Sequence, residues 1–172
     1  FVDNIKEPIP SYNEVLIETK AVGICGSDLG IFEGEFPKIN PPLIIGHEGA
    51  GIVKSVGEGV KNIKENDRVS VACVISCGKC DACKYGKYNL CKFSKTIGMI
   101  DVQGEYADFF VAPEQNCYIL PENLSWTTAA LIDTLAGPIY GLVKIFNIPI
   151  GSSIAVFGPG PAGLFFCKLA KL

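Results

Sequence analysis

The 172-residue chain has a single histidine, His47, and a single arginine, Arg68. With one guanidinium and a net charge of −3, it offers no basic patch or stripe to a phosphate backbone, so nucleic acid is not an expected partner. Neither an initiator methionine nor a signal-peptide pattern stands at Phe1, and the expectation is a chain whose start is missing, from a cytoplasmic protein. A clean hydrophobic run is absent as well. No charge falls between Ile145 and Cys167, yet Pro149, Gly151, Gly158, Pro159, Gly160, Pro161 and Gly163 interrupt that stretch. A lipid-exposed helix would be broken there with its backbone groups unsatisfied, which argues against a membrane span.

What is present is apolar mass. Hydrophobic residues make up 48% of the chain and charged residues 19%, which permits a packed core and argues against disorder. The first two-thirds reads as β structure. "EVLIETKAVGIC" alternates and is rich in β-branched residues, and "GAGIVKSVGEGV" reads as a strand closing in a glycine turn. "NIKENDRVSVACVI" gives a turn and a strand, and "GEYADFFVAPEQNCYILP" two short strands around Pro113. Short strands punctuated by Gly and Pro suggest a small barrel or sandwich. At Ser125 the spacing becomes helical, with Ser125 as N-cap and Pro138 as a kink or break. "GSSIAVFGPGPAGLFFCKLAKL" then reads as a buried strand, a glycine turn and a helix, the opening of a βαβ unit. The expected organisation is a β-rich unit over 1–125, with a cysteine lobe at about 73–95, followed over 126–172 by a connecting helix and the first βα unit of a second domain cut short.

Eight cysteines need an explanation. Four of them, Cys77, Cys80, Cys83 and Cys91, are spaced C-x2-C-x2-C-x7-C. Thiolates two residues apart on a tight turn reach one ion together, and the later cysteine closes a tetrahedron. Gly78 eases the first turn, and Lys79, Lys84 and Lys87 offset the negative charge of four thiolates on one zinc. A closed four-sulfur site leaves no position for a substrate, so this zinc is expected to be structural. A disulfide framework is the alternative, but cysteines this close pair poorly and a chain with a sizeable core does not need them. An iron–sulfur cluster is a further alternative. Cys73, Cys117 and Cys167 have apolar neighbours and read as small buried hydrophobes.

Cys25 and His47 remain. They come from two β-rich segments and supply sulfur and nitrogen for a metal that needs about three protein ligands and one open position. Asp28 is placed to accept the other imidazole N–H of His47, and Ser27 to hydrogen-bond a substrate oxygen at the metal. The loop "GPGPAG" sets Gly158, Gly160 and Gly163 as G-x-G-x-x-G between a strand and a helix. In that context the glycines give a tight turn, a close approach to pyrophosphate and helix–strand packing, with Pro161 in the first helical turn. Without a ligand it is an ordinary glycine-rich turn.

These motifs together resemble the zinc-dependent medium-chain alcohol dehydrogenases. "GHEGAGIVKSVGEGV" has that family's form G-H-E-x2-G-x5-G-x2-V, "VGICGSD" looks like its first zinc-ligand segment, the four cysteines like its structural-zinc lobe, and "FGPGPAG" like its coenzyme fingerprint. The resemblance implies a β-rich GroES-like catalytic domain followed by the truncated start of an α/β Rossmann domain. It implies one structural and one catalytic zinc, the latter on Cys25 and His47 with Glu48 as ligand or exchangeable partner. Ser27 would be the first proton-relay group and Asp28 the support of His47. Where alcohol-specific members place a third zinc cysteine, this chain has Asp133 and Thr134, and polyol and sugar dehydrogenases carry Glu-Pro. Asp133 thus resembles their acidic residue, a candidate ligand directly or through water. Gly30 falls near the place of a distal relay histidine, so the relay would end in water or substrate hydroxyls.

The implied activity is hydride transfer between a polyol or sugar-like secondary alcohol and NAD or NADP, in a homo-oligomeric parent enzyme of which the chain alone would be inactive. A threonine-type amino-alcohol dehydrogenase of the same family is one alternative. A zinc-stabilised binding module without catalysis is another, and five residues gathered at an open metal site speak against it.

Overall fold

The computed structural model describes residues 4–37, 39, 41–146 and 148–172. Its centre is a five-stranded sheet built from β1 (Glu14–Val22), β2 (Gly49–Val56), β3 (Arg68–Val71), β7 (Phe109–Pro113) and β8 (Cys117–Ile119), in the order β7-β1-β2-β3-β8. Its paired strands run antiparallel, with Val15 opposite Val56 and, on the other side, Ala112. A smaller sheet holds β4 (Val74–Ile75), β5 (Lys95–Ile97) and β6 (Asp101–Val102).

The alternation in the sequence explains how the sheet is buried. Val15, Ile17, Val53, Val69, Val71, Phe110 and Ala112 point into one core with Ile63 and Ile97. Each fully buried Val or Ile contributes about 1.5–3 kcal/mol. Ala50 and Leu120 form a second cluster with Ala129, Leu124, Trp126 and Ile132. The sole arginine is structural. The Arg68 guanidinium lies 4.0 Å from the centre of the Trp126 ring and donates to the carbonyls of Glu122 and Leu124, which pins the start of the helical segment to β3.

Five helices are described: α1 (Gly26–Phe32), α2 (Asp81–Lys84), α3 (Trp126–Ala129), α4 (Ile132–Tyr140) and α5 (Pro161–Leu169). Ser125 caps α3 by accepting the Thr128 N–H at 3.2 Å, as its sequence position suggests. Of the expected kink or break at Pro138, the break falls elsewhere. The helical stretch interrupts at Ala130–Leu131, while Pro138 lies inside α4, which runs on into a π-helical turn over Gly141–Ile145.

Two further expectations need correction. "SSIAVF" is neither buried nor paired: Phe157 is 97% exposed, and no strand lies beside it among the described residues. A strand needs a neighbour for its ladder, whatever its propensity. Cys167 is exposed on α5 rather than buried: that helix has no fully buried residue, and its neighbours Phe165 and Phe166 are only half-covered. No described helix is long and apolar enough to cross a membrane.

Two candidate metal centres and a glycine loop

The four-cysteine lobe follows β4. Gly78 takes φ +69, the left-handed turn that glycine permits, and brings Cys77 and Cys80 round on one side. Cys80 is the residue before α2, Cys83 lies within it, and Cys91 follows a 3-10 turn over Tyr88–Leu90. The Sγ atoms of Cys80 and Cys83 are 3.5 Å apart, those of Cys80 and Cys91 3.9 Å, and those of Cys77 and Cys83 4.0 Å. Four sulfurs held at about 2.3 Å from one ion form a tetrahedron with edges of about 3.8 Å, so the donor set fits zinc. These separations are far beyond a disulfide bond, and all eight cysteines are free. The backbone N–H of Cys83 draws the Cys80 thiol down to about 6, towards the thiolate that a metal requires.

The second group assembles from distant segments. Cys25 closes the loop after β1 and precedes α1, and His47 and Glu48 lead directly into β2. Antiparallel pairing of Val22 with Gly49 brings the two loops side by side. One donor atom from each of Cys25, His47 and Glu48 then lies within 4.8 Å of the others. Asp28, 3% exposed, sits beneath them. Its Oδ2 accepts the Cys25 N–H at 2.9 Å, and its Oδ1 the Gly46 N–H at 3.3 Å. The same Oδ1 is 3.3 Å from His47 Nδ1, a contact that falls short of a formed hydrogen bond. With Nδ1 turned to Asp28, Nε2 faces Ser27, whose Oγ is 3.3 Å away. Sulfur, imidazole and carboxylate in one partly open cluster suit zinc with a free position.

Asp133 is not in the group whose donor atoms lie within 4.8 Å of one another, although His47 and Glu48 act on its charge. Its carboxylate is 3.5 Å from the Cys73 N and 3.8 Å from the Cys73 Sγ. Burial and the nearby Asp133 and Glu105 push the Cys73 thiol up to about 12, so it is inert as a nucleophile. Thr134, the neighbour of Asp133, does reach the cluster: its hydroxyl donates to Glu48 Oε1 at 2.8 Å.

Two residues the sequence did not single out belong here. Glu105 is fully buried with no hydrogen-bond partner on either oxygen. Burial, then the charges of Asp133, Asp28 and Glu48, raise its carboxyl to about 8. Tyr106 places its hydroxyl 2.9 Å from both the Gly23 carbonyl and Asp28 Oδ2. Neither residue carries a spacing signal, since each acts on partners far away in sequence.

At the glycine loop, Gly158 takes φ +106 and Gly160 precedes α5, with Pro161 in the first turn. A Cβ on Gly163 would collide with the Gly158 carbonyl, so helix and turn pack as closely as only glycine allows. A Cβ on Gly160 would meet nothing within 4 Å among the described residues. That leaves open space before the N-terminus of α5, whose first turn has no acidic residue, and this fits an anionic pyrophosphate.

Residues 11–122 match the model of the alcohol dehydrogenase GroES-like domain. The chain belongs to that family. It is 38% identical over 171 residues to D-xylulose reductase A of Aspergillus niger, covering 95% of this chain and 47% of that protein. It is 37% identical over 172 residues to D-arabitol-phosphate dehydrogenase of Enterococcus avium, covering 99% of this chain and 48% of the relative. A Sinorhizobium meliloti protein described as a zinc-binding dehydrogenase, solved bound to NADP, superposes with a TM-score of 0.91 at 34% identity. That match covers 98% of this chain and 48% of the solved one. The chain thus spans about half the length of the curated relatives it matches.

Proposed function

We propose that this chain is the catalytic part of a zinc-dependent oxidoreductase that moves a hydride between a polyol or sugar-like secondary alcohol and NAD or NADP. The observation that carries the reading is the convergence of Cys25, His47 and Glu48 beside Ser27, separate from the four-thiolate lobe. Cys77, Cys80, Cys83 and Cys91 hold a structural zinc, and Cys25, His47 and Glu48 a catalytic one. When bound, the catalytic zinc supplies Lewis acidity to a substrate oxygen, and the nicotinamide cofactor supplies the hydride acceptor.

The remaining work belongs to the chain's own side chains. Ser27 Oγ takes the proton of the substrate hydroxyl and passes it to water. Asp28 Oδ1 stands 3.3 Å from His47 Nδ1 and so leaves Nε2 to the open side. Thr134 holds one oxygen of Glu48 and leaves the other for the metal. Gly158, Gly160, Pro161 and Gly163 seat the cofactor pyrophosphate. The polyol preference is supported by the names of the relatives and by Asp133-Thr134 standing where a third zinc cysteine would favour simple alcohols.

The test is metal content and turnover in the full-length protein. Two zincs per chain, and oxidation of linear polyols with NAD+ or NADP+, are expected. A single zinc that survives His47→Ala, with no polyol turnover, would leave the non-catalytic zinc module as the better reading.

A further inference from the structure

Tyr106 makes no hydrogen bond to the three donor side chains, yet it joins both segments that carry them. Its hydroxyl has one proton and two acceptors, the Gly23 carbonyl and Asp28 Oδ2, each at 2.9 Å. Gly23 is two residues from Cys25, and Asp28 bears on His47 through its other oxygen at 3.3 Å. Asp28 also accepts the Cys25 N–H, so a single carboxylate serves both donor segments. The Tyr106 ring lies under Gly46, the residue before His47. Gly46 takes φ +95, and a Cβ there would stand 2.7 Å from the ring. The backbone around Tyr106 is fastened to the same segment: Gly104 N donates to Ile44 O at 2.7 Å, Glu105 N to Gly46 O at 3.0 Å, and Tyr106 N to Ile45 O at 3.0 Å. The Gln103 side chain accepts the Ile44 N–H at 2.7 Å.

We propose that Tyr106 is a positioning residue for the Cys25–His47–Glu48 metal centre, its hydroxyl holding Asp28 in register with both donor loops while its ring seats Gly46. The proposal rests on the metal reading of that site. Asp28 has to satisfy Cys25 N, Gly46 N and His47 Nδ1 with two oxygens, and an Asp–His contact of 3.3 Å is loose on its own. A hydroxyl donating to Oδ2 fixes the rotation of the carboxylate, and hence where Oδ1 meets the imidazole. Tyr106 is 37% exposed, but partial desolvation and the neighbouring Asp28 carboxylate still raise it above its ordinary value, so it stays protonated and remains a donor. Partners of this kind beyond the direct ligands change metal affinity by about 10–100-fold.

The experiment loads the full-length protein with cobalt at the three-donor site and zinc at the four-thiolate site, then compares the parent with Tyr106→Phe, which removes only the hydroxyl. Cobalt dissociation is followed by competition with a chelator, and ligand geometry by the visible cobalt bands. Roughly tenfold or greater weakening of cobalt binding and shifted bands are expected, with lobe zinc and melting temperature unchanged. In an Asp28→Asn background the same change should add little, because the hydroxyl acts through that carboxylate. Unchanged affinity and bands, or full additivity with Asp28→Asn, overturn the proposal alone. A parent that takes no metal beyond the lobe's overturns the site reading, and this proposal with it. If Tyr106→Phe loses the lobe zinc, Tyr106→Met replaces it. Collapse of both variants overturns the positioning role in favour of a purely structural one.

Discussion

The two candidate metal centres differ in how far their donors travel to meet. In the lobe, Cys77 and Cys91, the outermost donors, are 14 residues apart, and the polypeptide between them is a glycine turn, one short helix and a 3-10 turn. In the three-donor site, Cys25 comes from the end of β1, His47 and Glu48 from the start of β2, and their supports from two places further on. Tyr106 is 78 residues from Asp28, and Thr134 is 86 residues from Glu48. Of the lobe's residues 77–91 only Cys83 and Cys91 are buried, so the zinc proposed for it would be its main tie. The three-donor site is held by a sheet whose core is packed without it. A metal that builds its surroundings and a metal that is merely received by them should respond differently to the same kind of substitution.

Cys83→Ser is the sharpest way to test that difference and should have the largest effect. A structural zinc contributes its binding free energy to folding directly. The melting temperature of the protein should fall by roughly 10 °C or more, with loss of one zinc. Cys25→Ser should also lose one zinc, with a much smaller change in melting temperature. Equal losses of stability would erase the distinction. His47→Ala comes next. It should cut polyol turnover about a thousandfold or more, since the Lewis acid is worth several kcal/mol and each 1.36 kcal/mol is tenfold in rate. The lobe zinc should remain. Loss of both metals with an intact fold would show that the sites are not separate.

A finer probe is Thr134→Val, which keeps the side-chain shape and removes the donor to Glu48 Oε1. A hydrogen bond to a charged group is worth about 1.5–3 kcal/mol, so kcat/KM should fall about ten- to a hundredfold. Wild-type kinetics would mean that the sheet alone orients Glu48.

The same contrast explains what the sequence disclosed. The lobe is legible because its chemistry is local: C-x2-C-x2-C-x7-C is itself the geometry, and the sulfur separations follow from it. Strands β1, β2, β3 and β7 are legible because Val15, Ile17, Val53, Val69 and Phe110 alternate against one core. Cys25, His47, Ser27 and Asp28 were found through their motif rather than by any periodicity. Glu105, Tyr106 and the Thr134 contact were not legible, because each acquires its role only when distant segments pair. Propensity misled at "SSIAVF", which has no paired strand beside it among the described residues, and at Cys167, which stays exposed on a half-covered helix.

The smallest expected effect concerns Glu105, which belongs to the three-donor region yet takes no part in holding an ion. Its carboxyl is raised from an ordinary 4.5 to about 8, first by burial and then by Asp133, Asp28 and Glu48. A raised value means that the folded chain holds this proton more tightly than the unfolded one. The stabilisation is complete below about 4.5, is lost progressively as the pH rises, and is gone above about 8. Above that, the fold carries a buried carboxylate that Glu105→Gln would not. The variant should therefore gain melting temperature over the parent as the pH rises from about 4.5 to about 8, by a few degrees at the upper end, and gain no more above that. Comparing both proteins in a His47→Ala background removes the ion whose charge would otherwise favour the carboxylate and mask the trend. A difference that stays flat across that range, or grows towards acid, would mean that Glu105 is ionised in the fold and paired with something other than its buried neighbours.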